Sequence, residues 1–109
     1  RGKCDIAQPD ITVVGGYSEV MKVAEMVRQR GKRLIPHGYK TNLLIATNLQ
    51  FLAQHEAAEM CEYSTSESPL RWELTRERFP IAADGTVAVP DGPGLGVSLD
   101  PAAIAKYRV

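Results

Sequence analysis

Three short apolar runs, each closed by an ionisable residue and separated from the next by a helical pattern, constrain this chain more than any other feature. The runs cover residues 4–9, 33–36 and 59–63. Asp10 follows the first, His37 follows the second, and Glu62 stands at the end of the third. Asp10 and His37 are 27 residues apart, and His37 and Glu62 are 25 apart. A strand, a crossover helix and a second strand at this interval bring the chain back to the same end of the sheet, so the strands must run parallel. One sheet edge then collects an Asp, a His and a Glu.

The helical patterns between the runs differ. Ser18 reads as the N-cap of a helix over residues 18–30, with Val20, Val23, Ala24 and Val27 on one face. Glu19, Lys22, Glu25 and Arg28 take the wet face, and Gly31 ends the helix. The second helix, over residues 43–54, has Thr41 or Asn42 as cap. Leu43, Leu44, Ile45, Leu49, Phe51 and Leu52 leave it almost no polar side, so it should lie deeper than the first. In a closed (βα) barrel, the edge holding Asp10, His37 and Glu62 is the rim where active sites form.

After residue 63 the alternation stops. A Ser-rich loop leads to a helical turn over residues 69–74, and Asp84-Gly85 predicts a hairpin between residues 81–83 and 86–89. A Gly/Pro-rich return follows, and Asp100 caps a last helix over residues 101–107. We divide the chain into residues 1–75, barrel-like, and residues 76–109, a tail. Trp72 and Phe79 are expected to cover the apolar side of that tail, and His55 to lie on the surface.

Charge and composition exclude several functions. Thirteen Lys+Arg balance thirteen Asp+Glu, which gives no support for a nucleic-acid or anionic-membrane partner. No apolar run is long enough to span a bilayer. The first residues lack the apolar stretch of a signal peptide, the missing initiator Met implies a cut or processed start, and two lone cysteines imply a reducing, cytoplasmic location. Cys4 and Cys61 are too few for a disulfide framework and read as small buried thiols. Their spacing with His37 and His55 matches no zinc pattern. The Gly-rich stretch over residues 91–96 does not join a strand to a helix, so it is no phosphate loop. A triad using Ser64 or Ser66 lacks a nucleophile elbow.

The ordered set Asp5-Ile6-Ala7-Gln8-Pro9-Asp10-Ile11, Gly15-Gly16, Ile35-Pro36-His37-Gly38, Cys61-Glu62-Tyr63, Asp84-Gly85 and Pro93-Gly94-Leu95-Gly96-Val97 resembles the C-terminal part of the enolase superfamily. The resemblance is closest to the mandelate racemase/muconate lactonizing enzyme subgroup, with its sugar-acid dehydratases. It covers essentially the whole chain and implies an α/β fold: strands six to eight and the tail of a modified (βα)7β barrel. It further implies an Asp–His dyad at Asp10 and His37, a strand-eight carboxylate at Glu62, and a Mg²⁺ cofactor. The Mg²⁺ ligands, together with a Lys base and the capping domain, belong to regions upstream of this chain.

The implied reaction begins by removing the proton alpha to a carboxylate. A Lys or His base acting with Mg²⁺, which stabilises the enediolate, is the general pattern of this superfamily. His37 fits the base, with Asp10 fixing its tautomer across neighbouring parallel strands about 4.8 Å apart. In a dehydratase the protonated His37 would then assist the departing hydroxyl. A protonated Glu62 would donate to the oxyanion, and Lys40 would contact the substrate carboxylate. The expected function is an acid-sugar dehydratase acting on a small carboxylate substrate, with a racemase or epimerase as the alternative. Three barrel strands alone leave open edges, which implies homo-oligomers or an inert half-barrel, and no activity for the chain by itself.

Overall fold

The computed structural model describes residues 3–55 and 59–109. Strand β1 (Ile6–Ala7) leads into a four-residue helix α1 (Ile11–Val14), and helix α2 (Tyr17–Gln29) returns the chain to β2 (Arg33–Leu34). Helix α3 (Asn42–Gln54) follows, and the tail carries α4 (Pro69–Glu73) and α5 (Pro101–Tyr107). No helix among the described residues is long and apolar enough to cross a membrane.

β1 and β2 pair in parallel, with Ile6 opposite Arg33 and Ala7 opposite Leu34. Backbone bonds extend the pairing: Ile35 N–H to Ala7 O at 3.0 Å and His37 N–H to Pro9 O at 3.0 Å. The regular ladder is shorter than the two expected runs. Pro9 and Pro36 have no N–H to give, so the ladder thins as it approaches the site edge.

The 59–63 run forms no strand. Among the described residues it makes no backbone bond to β2. Side chains hold it instead, through a two-pronged Arg33–Glu59 pair and a bond from Gly38 N–H to Glu62. β2 stops at Leu34, and Pro36 just beyond it has no N–H to offer a third parallel partner. The 81–89 hairpin is likewise reduced to its turn. Gly85 takes φ 83° and Ala82 N–H reaches Thr86 O at 2.8 Å, without a flanking ladder among the described residues.

The start of the first long helix also differs from expectation. Gly16, not Ser18, is the N-cap of α2. The unexpected helix α1 ends on Gly15 at φ 108°, and Gly16 at φ 88° turns the chain directly into α2. On α2's wet face Lys22 pairs with Glu19 and Arg28 with Glu25.

Two apolar clusters flank α3. Ile11, Val20, Ala24, Val27, Leu34 and Phe51 form one, while Ile45, Ala46, Leu49 and Phe79 form the other. This explains the all-round apolar sequence of α3: Phe51 serves the sheet side, and Ile45 and Leu49 serve the tail side. The tail closes with an antiparallel bridge between Thr75 and Leu99. Phe79 is buried as expected. Trp72 is half-buried and lies beneath the buried Arg71 guanidinium, which donates to Ser66 O at 3.0 Å. His55 is half-buried against the Phe51 ring, not a free surface side chain. Cys4, expected to be buried, is exposed: it precedes β1 and its thiol turns to Ile6 O, at the mouth of an open cleft shared with Val23 and Met26 of α2. Cys61 is half-buried, and that burial, with the Glu62 charge, pushes its thiol up.

Candidate active site

Asp10 sits where β1 ends, and its position is fixed twice. As the N-cap of α1, its Oδ1 accepts from Thr12 N–H at 2.9 Å and from Thr12 Oγ1–H at 2.6 Å. Its Oδ2 faces the end of β2, where it meets His37 Nδ1 at 3.2 Å and Lys40 Nζ at 3.1 Å. Four donors therefore fill a carboxylate that is only 8% exposed. Burial alone would raise its pKa; the hydrogen bonds from Thr12, Lys40 and His37 outweigh burial and hold it down at about 2.

An ionised carboxylate can only accept, so the proton of the neutral imidazole belongs on Nδ1. That leaves Nε2 as the basic atom. Nε2 points toward Glu62, whose Oε2 is 3.9 Å away, beyond hydrogen-bond range. The ring also meets the edge of Tyr39, with centroids 5.1 Å apart.

Glu62 is placed by a backbone group. Gly38 N–H donates to its Oε2 at 2.7 Å. Gly38 itself fits tightly, because a Cβ there would come within 2.5 Å of Asn48 Nδ2 and 3.3 Å of Leu44. Asn48, fully buried on α3, donates to His37 O at 3.2 Å and ties the His37 backbone to the helix beneath.

The structure thus brings Asp10, His37 and Glu62 to one edge. Lys40 is there too, but its ammonium is tied to Asp10 and to Thr12 Oγ1 at 2.9 Å, instead of extending toward a ligand. The sequence reading places Gly38 in the motif around His37 but does not single out Thr12 or Asn48. The D-x-T pattern at Asp10-Ile11-Thr12 is a capping signal, and a lone Asn within an apolar helix marks a polar task in the core; both were legible. Among the described residues, no cluster of three or more His, Cys, Asp or Glu side chains could hold a metal ion. These residues do not make a Mg²⁺ site.

Parallel strands joined by a helix, with ionisable residues gathered beyond one strand end, fit a portion of an α/β barrel. The chain belongs to the Enolase C-terminal domain-like family, whose model matches residues 1–103. It is 34% identical to a D-galactarolactone cycloisomerase from Agrobacterium fabrum, over 99% of this chain and 30% of that protein. It is 32% identical to an arabinonate dehydratase from Saccharolobus solfataricus, over 95% of this chain and 27% of that protein. The chain therefore spans about 30% of the length of the curated relatives it matches. A solved enolase-superfamily member from Polaromonas sp. JS666 superposes with a TM-score of 0.89 at 34% identity, over 99% of this chain and 28% of that one. A more distant fold neighbour, a structure of an L-alanine-DL-glutamate epimerase homologue from Burkholderia xenovorans, is bound to magnesium and fumarate (TM-score 0.82, 24% identity, 94% of this chain and 25% of that one).

Proposed function

We propose that this chain supplies the strand-six to strand-eight rim of an acid-sugar dehydratase, in which His37 moves the substrate proton. One observation carries the reading: Asp10, nearly buried and saturated with donors, holds His37 Nδ1 and leaves Nε2 open toward the edge that Glu62 shares. Nε2 takes the proton alpha to the substrate carboxylate and, once protonated, hands a proton to the departing β-hydroxyl. Asp10 keeps the ring in the required tautomer and stabilises its cationic form. Glu62 lies beside Nε2 and, in its protonated form, is the donor to the developing oxyanion. Its side chain is 37% exposed in this chain alone, so the water exclusion that role needs comes from the remaining barrel and the cap. Mg²⁺, which the reading also includes, is held by residues outside these 109. The division into a barrel part, residues 1–75, and a tail, residues 76–109, belongs to the same reading, as do a cytoplasmic location and assembly into homo-oligomers.

The galactarolactone cycloisomerase relative favours a second reading, in which the same proton is removed but a ring oxygen leaves instead of a hydroxyl. Epimerisation would return the proton to the opposite face. The products differ in mass or configuration, which separates the three. The complete protein is assayed with Mg²⁺ against a panel of sugar acids and sugar lactones, as wild type and as His37→Asn. A keto acid lighter by one water is the expected product. His37→Asn should lower turnover by about 100- to 10,000-fold. Undiminished turnover by that variant removes His37 from the chemistry, and a product of unchanged mass replaces dehydration with one of the other two. The 109-residue chain alone is expected to be inactive in the same assay.

A further inference from the structure

Lys40 is well placed to act through Asp10 instead of on the substrate. Its ammonium is 3.1 Å from Asp10 Oδ2, the same oxygen that receives His37 Nδ1, and 2.9 Å from Thr12 Oγ1. Thr12 Oγ1 in turn donates to Asp10 Oδ1. Lys40 and Thr12 thus form a bracket around the carboxylate, with one cation and three neutral donors (counting Thr12 N–H and the imidazole) sharing a single negative charge.

We propose that Lys40 is a positioning residue that draws on the charge of Asp10 and thereby limits how firmly Asp10 can hold a protonated His37. The inference rests on the dyad reading above. The physical argument is one of competition. A carboxylate beside an imidazole favours the imidazolium, and a cation on the same oxygen opposes that. Without Lys40, Asp10 would stabilise the charged ring more strongly, and a base that must be neutral to accept a proton would be occupied over a wider range of pH. The groups facing His37 from each neighbouring element are Asp10 from the end of β1, Glu62 from the 59–63 segment, and Tyr39 and Lys40 from its own loop. The α3 residue behind it is the neutral Asn48.

The test compares wild type, Lys40→Met and Lys40→Arg in the complete protein. It reads the pH dependence of kcat/KM together with an NMR titration of the His37 ring in the absence of substrate. Lys40→Met is expected to move the acidic limb of the rate profile, and the ring titration, upward by about one pH unit, with Lys40→Arg close to wild type. Lys40→Gln serves as a second neutral variant should Lys40→Met fold poorly. A raised KM with an unmoved acidic limb would make Lys40 a substrate contact and overturn the proposal. Unmoved titrations in both neutral variants would overturn it as well. The NMR readout does not depend on turnover. A shifted ring titration in a protein whose His37→Asn form remains fully active would therefore sink the dehydratase reading while leaving the bracket intact.

Discussion

Two carboxylates flank one imidazole, and the chain treats them differently. Asp10 is 8% exposed and accepts from four donors, two on α1 and two on the loop after β2. Glu62 is 37% exposed and accepts from a single backbone N–H among the described residues. The contrast shows how a rim site divides its tasks. The Asp10 side is completed within residues 10–40 by local capping and by the loop that follows β2. The Glu62 side has no paired strand among the described residues and rests on one backbone donor.

Breaking the better-built side should have the largest effect. Asp10→Asn keeps the volume but removes the charge, and its amide can donate to Nδ1 and move the ring proton to Nε2. We expect turnover of the complete protein to fall about 100- to 10,000-fold, measured as kcat/KM with Mg²⁺ saturating. Glu62→Gln, by contrast, should lower kcat by a smaller factor. An equal or larger loss at Glu62 would invert the comparison.

Gly38→Ala tests the joint between the two sides. The added methyl would come within 2.5 Å of Asn48 Nδ2, so Asn48 must shift and its bond to His37 O is lost. About 1–3 kcal/mol of stability should be lost, read as the change in denaturant midpoint; an unchanged midpoint would mean that the Asn48 side chain moves aside freely.

Thr12→Val sharpens the account of Asp10. It removes the Oγ1 donor and should cost about 1 kcal/mol. It also changes acid behaviour. The folded Asp10 carboxyl lies at about 2 against an ordinary 3.8. Its contribution to stability is therefore full above the ordinary value and is lost as the pH falls from there toward about 2. With one donor gone the folded value moves back toward the ordinary one, so the contribution is smaller and its loss is complete at a higher pH, visible as an upward shift of the acid-unfolding midpoint. The smallest effect is expected far from the dyad. Arg33→Ala deletes a half-exposed ion pair with Glu59 and should change stability by no more than about 1 kcal/mol, which a thermal melt would register as a small step.

Much of the site was legible because the sheet edge follows from spacing alone. Asp10, His37 and Glu62 could be placed together from the interval between apolar runs, and α2 and α3 from their periodicity. What escaped has physical reasons. The α1 sequence Ile11-Thr12-Val13-Val14 is β-branched and a poor helix former on its own; the Asp10 cap and the Gly15 turn impose the helix from both ends. The two prolines that close the apolar runs shorten the ladder, an effect that hydrophobic pattern does not report. The direction of Lys40 was hidden too, because a loop lysine can reach a ligand or a neighbouring carboxylate equally well until the partner's position is known. The 59–63 run has the composition of a strand, but composition does not supply a backbone partner.

Asp10 uses one oxygen to start a helix and the other to orient a ring. A change at position 10 meant to alter how the ring is held therefore also alters where α1 begins. A library that randomises position 10 alone should return folded variants chiefly among the small capping residues, whereas varying positions 10, 12 and 40 as one codon set would open combinations that single changes cannot reach.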